Sequence, residues 1–254
     1  MLHSPVMPNF PPLRRYVFSV VDRWIDRHGF VPPFLEVGCG TGLLAAHLAE
    51  RSWHGAALDS SPVPLARARA LLAPHPGVTV LDGNLSALEG RFFQCAFVMD
   101  VIEHVRDDLG LLRAIATRVA PGGWLVLLVP VNPAEWRQDD VLYGHYRRYA
   151  WDDIANKLGA AGFTPVESWN VTVPVLWCLR RLYLALLPVR LEGRGQDQLT
   201  AASSIYNPWD ERGLLKWAGR LLGLRVWWWL PFRIQDLFAR SRRGHAAMFL
   251  ARRK

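Results

Sequence analysis

The chain has 254 residues, 51% of them hydrophobic, which gives room for one α/β domain with an elaboration, and its proline and glycine totals are ordinary. Three cysteines stand apart at 39, 95 and 178, so neither a disulfide framework nor a metal-knuckle spacing is present, and the cytosol is the expected compartment. The formal net charge of +8 is all C-terminal: residues 1–170 hold 15 basic and 17 acidic side chains, and residues 171–254 hold 15 and 5.

The N-terminus lacks a basic flank followed by an apolar core, so no signal peptide is read, and no apolar run is long enough to span a bilayer. Leu13 to His28 places Tyr16, Val17, Val20, Val21, Trp24 and Ile25 at helical spacing, with Gly29 as the stop. Val31 to Val37 reads as a strand and Thr41 to Arg51 as the first crossover helix, with glycines at 38, 40 and 42 between them. Ala56 to Leu58 is a second strand, and Pro62 opens a helix that runs to Leu72. Val78 to Leu81, Phe92 to Met99, Trp124 to Val129 and Phe163 to Asn170 complete six strands. Helices are expected at Asp108–Val119 and Trp151–Ala161, with a turn at Pro121–Gly123.

Short apolar strands alternating with helices predict a doubly wound, mostly parallel sheet with helices on both faces, because parallel neighbours need helical crossovers. Ala246 to Ala251 supplies a seventh strand. The expected organisation is therefore a sheet domain over 1–170 and 244–254, with 171–243 inserted before the last strand as a helical lid or membrane-interface segment. Ligands of such sheets bind beyond the carboxyl ends of the strands. Glu36, Asp59, Asn84, Asp100 and Asn132 all fall at such ends.

The stretch from Phe34 to Gly42 runs Phe-Leu-Glu-Val-Gly-Cys-Gly-Thr-Gly. Glycines at alternate positions permit positive φ and let a ligand approach bare backbone, and the helix beyond offers unpaired N–H groups. The spacing fits a dinucleotide fingerprint poorly, since Leu43 stands where its third small residue belongs. It resembles the first motif of class I S-adenosylmethionine-dependent methyltransferases, which implies a Rossmann-like fold, that cofactor as methyl donor and S-adenosylhomocysteine as product. The resemblance places Glu36, Gly38, Cys39, Gly40 and Gly42 around the cofactor, with Asp59 and Ser60 at the ribose and Asn84 and Leu85 at the adenine. Asp59 also suits a cap for the helix near Pro62, and Asn84, where the family usually has an acid, also suits a plain turn.

Met99-Asp-Val-Ile-Glu-His-Val105 is similar to the segment closing strand four in methyltransferases acting on quinone precursors and glycolipids. This implies that Met99 and Asp100 face the methionine ammonium and that His104 is a candidate base. Asp100, Glu103 and His104 could instead gather a divalent cation, which is weighed but not expected, or Glu103 and His104 could simply fix the loop. Phe93-Gln94 departs from the family's Phe-Asp, a structural position. Gly144-His-Tyr-Arg-Arg-Tyr149 resembles a run found in bacterial members linked to polysaccharide and lipid-linked sugar pathways. It makes His145 a second candidate base and Tyr146, Arg147 and Arg148 candidate acceptor ligands, two guanidiniums being able to clamp phosphate or carboxylate. A surface turn with arginines capping strand ends is the other reading.

Seven of the twelve tryptophans lie from Trp169 onward, mixed with leucine and arginine as in Leu221 to Arg233 and Val175 to Leu187. Such segments suit an anionic membrane interface or a lid with outward-facing arginines. Nucleic acid ranks lowest and is not expected. The expected function is methylation of a hydroxyl on an amphiphilic or lipid-linked acceptor, such as a lipid-linked sugar or a prenylated ring. A soluble natural-product acceptor and a non-catalytic cofactor-binding partner protein are the alternatives. Expected localisation is cytoplasmic with peripheral membrane contact, and the oligomeric state is open.

Overall fold

The computed structural model describes residues 12–88, 90–186 and 225–254. Helix α1 (Pro12–His28) begins on a proline, whose missing N–H costs nothing at a helix start, and ends at Gly29 in the left-handed region. Its apolar stripe, Tyr16, Val17, Val20, Val21, Trp24 and Ile25, is buried. There follow β1 (Phe34–Val37), α2 (Leu43–Ala49), β2 (Gly55–Asp59), α3 (Pro62–Leu72), β3 (Val78–Asp82) and β4 (Phe93–Met99). Then come α4 (Asp108–Ala116), β5 (Val119–Pro130), α5 (Gln138–Tyr143), α6 (Trp151–Ala160) and β6 (Phe163–Asn170). Among the described residues, two further helices, α7 (Val175–Leu186) and α8 (Arg225–Leu237), precede β7 (Ala246–Arg253).

The seven strands form one sheet in the order β3-β2-β1-β4-β5-β7-β6. β1 to β5 are parallel, and β7 lies antiparallel between β5 and β6. Period-two alternation divides the core. Phe34, Ala57, Cys95, Phe97, Val126, Leu128 and Met248 face α1, α2 and α3, while Leu35, Ala56, Ala96, Val98, Leu127 and Phe249 face α4 and α6. Helices therefore cover both faces, as the alternation of elements predicts.

Several element ends differ from expectation by a few residues, among them the helix expected over Asp108–Val119, which stops at Ala116 with Val119 already in β5, and three departures bear on the sheet and the site. The first strand starts at Phe34 because Pro32 and Pro33 cannot give the ladder its hydrogen bonds. The expected Pro121–Gly123 turn survives as an irregularity inside a longer β5: Val119 pairs with Phe93 and Trp124 with Cys95, and Gly122 takes φ 75°. The six-residue α5 escaped the sequence reading, which named no element between β5 and α6. Of the expected insertion, 171–186 and 225–243 are described; Leu187, Trp209, Trp217 and the stretch from Leu221 to Leu224 lie outside the described residues. Among the described residues, no helix is long and apolar enough to cross a membrane.

Candidate active site

All three glycines of the β1–α2 loop take positive φ, 70° at Gly38, 53° at Gly40 and 78° at Gly42. A Cβ on Gly38 would lie 2.4 Å from Val101 Cγ2, and one on Gly42 would lie 3.0 Å from Ala68 Cβ. Conformation and space thus both require glycine. The loop folds back on β2, with the N–H groups of Gly38 and Cys39 donating to the Leu58 carbonyl at 2.8 and 2.9 Å. Cys39 is buried, and burial raises its thiol pKa.

Two carboxylates frame this loop. Glu36 accepts the Ala45 N–H at 2.9 Å, satisfying an open donor in the first turn of α2. Burial pushes its pKa up to about 8, against the opposing pull of that bond and of Arg14. Asp59 accepts the Gly40 N–H at 2.7 Å through Oδ2 and the Ser61 N–H at 2.8 Å through Oδ1. The bond to Ser61 closes a local turn just ahead of α3 and does not reach the helix's own first-turn N–H groups, so the anticipated cap by Asp59 is not formed, and the N-cap residue Ser61 makes no side-chain cap either. A carboxylate has about four lone-pair sites, so Asp59 keeps capacity for a vicinal diol.

Around the nucleoside end the residues divide. Asn84 Oδ1 accepts from both the N–H and the hydroxyl of Ser86, so the turn reading of this exposed residue is realised and its acceptor is engaged. Leu85 is buried at the head of the 3-10 turn Leu85–Leu88, and Ser60 is exposed. Asp82, exposed and level with Asp59 across β2 and β3, is a carboxylate the sequence reading did not single out.

Met99 ends β4 half-buried, and Asp100 follows with φ 56°, a conformation uncommon outside glycine. Asp100 reaches solvent yet has protein around it, and that surrounding raises its pKa against the pull of Arg14 and His145. Arg14, on α1, acts on both Glu36 and Asp100 and is a cation the motifs did not reveal.

Beyond Asp100 the 3-10 turn Ile102–His104 meets the segment after α5, tied by the Tyr146 N–H donating to the Glu103 carbonyl at 2.8 Å. Both candidate bases converge here: the rings of His104 and His145 lie 4.9 Å apart, edge to face. Burial and the neighbouring His145 push His104 down to about 4, despite a backbone hydrogen bond to Gly144. His145 Nδ1 lies 2.8 Å from Asp140 Oδ1. Glu103 is fully buried with neither carboxyl oxygen hydrogen-bonded to another residue, and burial, then the charge of Asp100, hold its pKa well up. One ligand atom from each of Glu103, His104 and His145 falls within 4.8 Å of the others. The metal alternative thus changes membership, since His145 takes the place expected of Asp100. Two imidazoles and an unpartnered carboxyl fit a divalent ion.

The expected pair of arginine clamps separates. Arg148 is buried and committed: it forks Asp140 at 2.9 and 2.7 Å and donates to the Val131 and His245 carbonyls. With its hydrogen-bonding face spent internally, it is not placed to receive an acceptor phosphate. Arg147 pairs with Asp108 at 2.9 Å and donates to the Arg106 carbonyl, remaining partly exposed. Both Arg106 and Arg147 lie over the ring of Tyr146. Asn132 is likewise structural, its amide donating to the carbonyls of Arg242 and Gly244.

A glycine loop with Asp59 and Asp100 at the carboxyl ends of this sheet defines a class I methyltransferase architecture. The family described as "Methyltransferase domain" matches residues 13–168, more than half of the sequence, and the chain belongs to it, among the S-adenosylmethionine-dependent methyltransferases. Solved structures share the fold. The N-methyltransferase NodS from Bradyrhizobium japonicum, in complex with S-adenosylhomocysteine, has a TM-score of 0.56 at 15% identity, covering 99% of this chain and 93% of that one. Magnesium protoporphyrin IX methyltransferase from Synechocystis, with the same ligand bound, has a TM-score of 0.57 at 14% identity, covering 100% and 89%.

Among curated relatives, the ubiquinone biosynthesis O-methyltransferase of Aeromonas salmonicida is 35% identical over 121 residues, which are 45% of this chain and 50% of that one. The protein of the same name from Cereibacter sphaeroides (strain ATCC 17025 / ATH 2.4.3) is 28% identical over 195 residues, 62% and 77% of the two chains. The chain thus spans about half the length of the first of these relatives.

Proposed function

We propose that this protein transfers the methyl group of S-adenosylmethionine to a hydroxyl oxygen. The observation that carries the reading is the succession, along the carboxyl ends of β1, β2 and β4, of the Glu36–glycine loop, Asp59, Asp100 and then the His104–His145 pair. Asp59 would accept from the ribose hydroxyls, while Asp100 and Arg14 answer the ammonium and carboxylate of the methionine moiety. The acceptor oxygen bonds to the methyl carbon as the sulfur–methyl bond breaks, and that electron pair stays on sulfur to give S-adenosylhomocysteine. The hydroxyl proton passes to His145, whose Nδ1 lies 2.8 Å from the Asp140 carboxylate, because His104 is held down to about 4. The chain's main task is alignment of donor and acceptor at near-contact distance.

The acceptor we infer is amphiphilic or lipid-linked, a prenylated ring or a lipid-linked sugar. The names of the ubiquinone-pathway relatives support this, and so does the surface of α8. Trp227, Trp229 and Leu237 on that helix are 63%, 69% and 82% exposed, near exposed Arg233 and Arg240. Indoles at headgroup depth beside arginines suit an anionic membrane, so the reading includes peripheral contact from the cytoplasmic side, with α7 and α8 as parts of a lid over the acceptor.

The test is transfer of radiolabelled methyl from S-adenosylmethionine to a panel of catechols, prenylated catechols, lipid-linked sugars and soluble phenols. Labelling of a lipid-soluble member is expected. Labelling of soluble members alone moves the assignment to a soluble acceptor, and intact cofactor binding with no labelling anywhere leaves a non-catalytic binding protein.

The unpartnered Glu103 favours a second reading, in which Glu103, His104 and His145 hold a divalent ion. The ion's charge would favour the ionised form of a nearby hydroxyl. Loss of activity in chelator with recovery on adding Mg²⁺, Mn²⁺ or Zn²⁺ distinguishes it from the metal-free reading.

A further inference from the structure

Asp140 lies in the first turn of α5, where its Oδ2 accepts the Arg137 N–H at 2.8 Å. It is fully buried, yet four polar groups besides that amide converge on it. His145 Nδ1 and Arg148 Nη2 reach Oδ1 at 2.8 and 2.7 Å, and Arg148 Nε reaches Oδ2 at 2.9 Å. The fourth comes from α7: Arg180 Nη2 lies 3.2 Å from Oδ2, while its Nε and Nη2 fork Asp139 at 2.6 Å each. Arg180 is itself almost wholly enclosed, with only 9% of its side chain exposed. Two guanidiniums and two carboxylates thus form a compact cluster, with Glu135 a further partner of Arg180 at 3.7 Å, and a buried carboxylate is tolerated because it is paired and hydrogen-bonded.

We propose that Asp140 is a positioning residue that fixes the ring of His145 for proton transfer, and that Arg180 makes this setting depend on α7 being seated. The proposal rests on the reading of His145 as base. An ionised aspartate only accepts hydrogen bonds, so the proton of a neutral His145 ring must sit on Nδ1, leaving Nε2 as the acceptor. Asp140 stands as a carboxylate because the Arg148 guanidinium forks both of its oxygens and Arg180 adds a further cation at Oδ2. The same logic governs a serine-protease triad, where the aspartate sets the tautomer of the histidine and never takes its proton. Here the carboxylate has an additional partner from a separate helix. If α7 moves away, Arg180 leaves, Asp139 and Asp140 lose a shared cation, and the orientation of the carboxylate toward His145 relaxes.

The tautomer can be read without any acceptor. Long-range ¹H–¹⁵N spectra of the full chain saturated with S-adenosylhomocysteine, with His145 assigned by its absence in His145→Gln, should show the proton on Nδ1. In Asp140→Asn that single tautomer should be lost, with cofactor affinity unchanged within about threefold. Methyl transfer to the member of the panel that the wild type labels should fall in kcat by about 10² to 10⁴-fold with KM little changed. In the His145→Gln background, Asp140→Asn should cost nothing further, since two residues acting as one unit are not additive. Arg180→Gln leaves the Asp140–His145 pair in place and covers the case in which Asp140→Asn does not fold. It should broaden or shift the His145 ring signals and lower kcat about tenfold. An unchanged tautomer in Asp140→Asn, losses that multiply in the double variant, or unaltered ring signals in Arg180→Gln would each overturn the proposal. A wild type that labels no acceptor but keeps the Nδ1 tautomer overturns the base reading instead, and with it the catalytic part of this proposal.

Discussion

Gly40 donates its backbone N–H to Asp59 Oδ2 at 2.7 Å, so the glycine loop is anchored by the same side chain we assign to the ribose. Removing it affects two things at once, the proposed diol contact and the anchoring of the glycine loop. Asp59→Ala should weaken S-adenosylhomocysteine binding by about 1.5 to 3 kcal/mol, the scale of charge-assisted hydrogen bonds lost from a buried site. Asp59→Asn, which keeps one acceptor oxygen, should fall between. Titration calorimetry is the measurement, and an unchanged affinity in the alanine variant removes the ribose assignment.

Gly38→Val should be worse than either. At φ 70° a branched side chain is strained, and its Cβ would sit 2.4 Å from Val101 Cγ2. Because Val101 follows Asp100, the collision also disturbs the turn that carries the carboxylate we propose for the ammonium. Calorimetry should show no measurable cofactor binding, and the melting temperature should drop. Wild-type affinity in this variant would mean that the cofactor does not lie against the loop.

Glu36 gives a pH signature. Its folded pKa is pushed up to about 8, above the ordinary carboxylate value of about 4.3. A raised pKa contributes stability that is full below about pH 4 and is lost as pH rises through about 8, so the melting temperature of the cofactor-free protein should decline across that window. In the proposed site the ammonium set against Asp100 also acts on Glu36, as the Arg14 charge acts on both carboxylates. It favours the ionised form, so binding between about pH 5 and 8 should release a proton and tighten as pH rises. Calorimetry in buffers of different ionisation enthalpy reports the proton count. Glu36→Gln should abolish both effects, and a variant that keeps them places the titration elsewhere.

The fold and the conformation of the β1–α2 loop were legible in the sequence because both rest on local signals. Period-two apolar runs set the strands, and alternate glycines together with Glu36 and Asp59 set the loop. What stayed hidden depends on distant contacts. Arg148 looks like Arg147 in sequence, yet one is walled in by Asp140, Val131 and His245 while the other pairs with Asp108 near the surface. Asp140 carried no motif, and its meaning comes from Arg180, forty residues later on another helix. Asn84 stands where the family usually has an acid, and its oxygen serves its own turn through Ser86.

The two histidines should behave unequally. His104 is held down to about 4, so at neutral pH it is a neutral ring with little appetite for a proton. His145 has the Asp140 carboxylate at 2.8 Å to steady the charge it would gain. His145→Gln should lower kcat by about 10² to 10⁴-fold with cofactor affinity intact, while His104→Gln should cost less than about tenfold. The reverse order in steady-state assays would transfer the base role to His104.

The three consecutive tryptophans of α8 divide by what surrounds them. Trp228 is 6% exposed, and its ring lies 5.6 Å from Phe232, which in turn meets Tyr16 of α1 at 5.1 Å. Trp227 and Trp229 are 63% and 69% exposed on the same helix. Trp228→Ala should therefore act on stability, costing about 3 to 5 kcal/mol for a truncated buried aromatic. The double variant Trp227→Ala/Trp229→Ala should leave the melt nearly unchanged, because exposed side chains contribute little to the core. Its effect should appear in sedimentation with vesicles. Wild-type binding should require anionic lipid and weaken as salt rises, since each arginine near such a surface contributes about 1 kcal/mol and is screened beyond a Debye length of about 10 Å at 0.1 M salt. Loss of vesicle binding in the double variant with the melt preserved supports a membrane-facing α8. A wild type indifferent to vesicles ends that reading and leaves the two exposed indoles to the acceptor or to another protein.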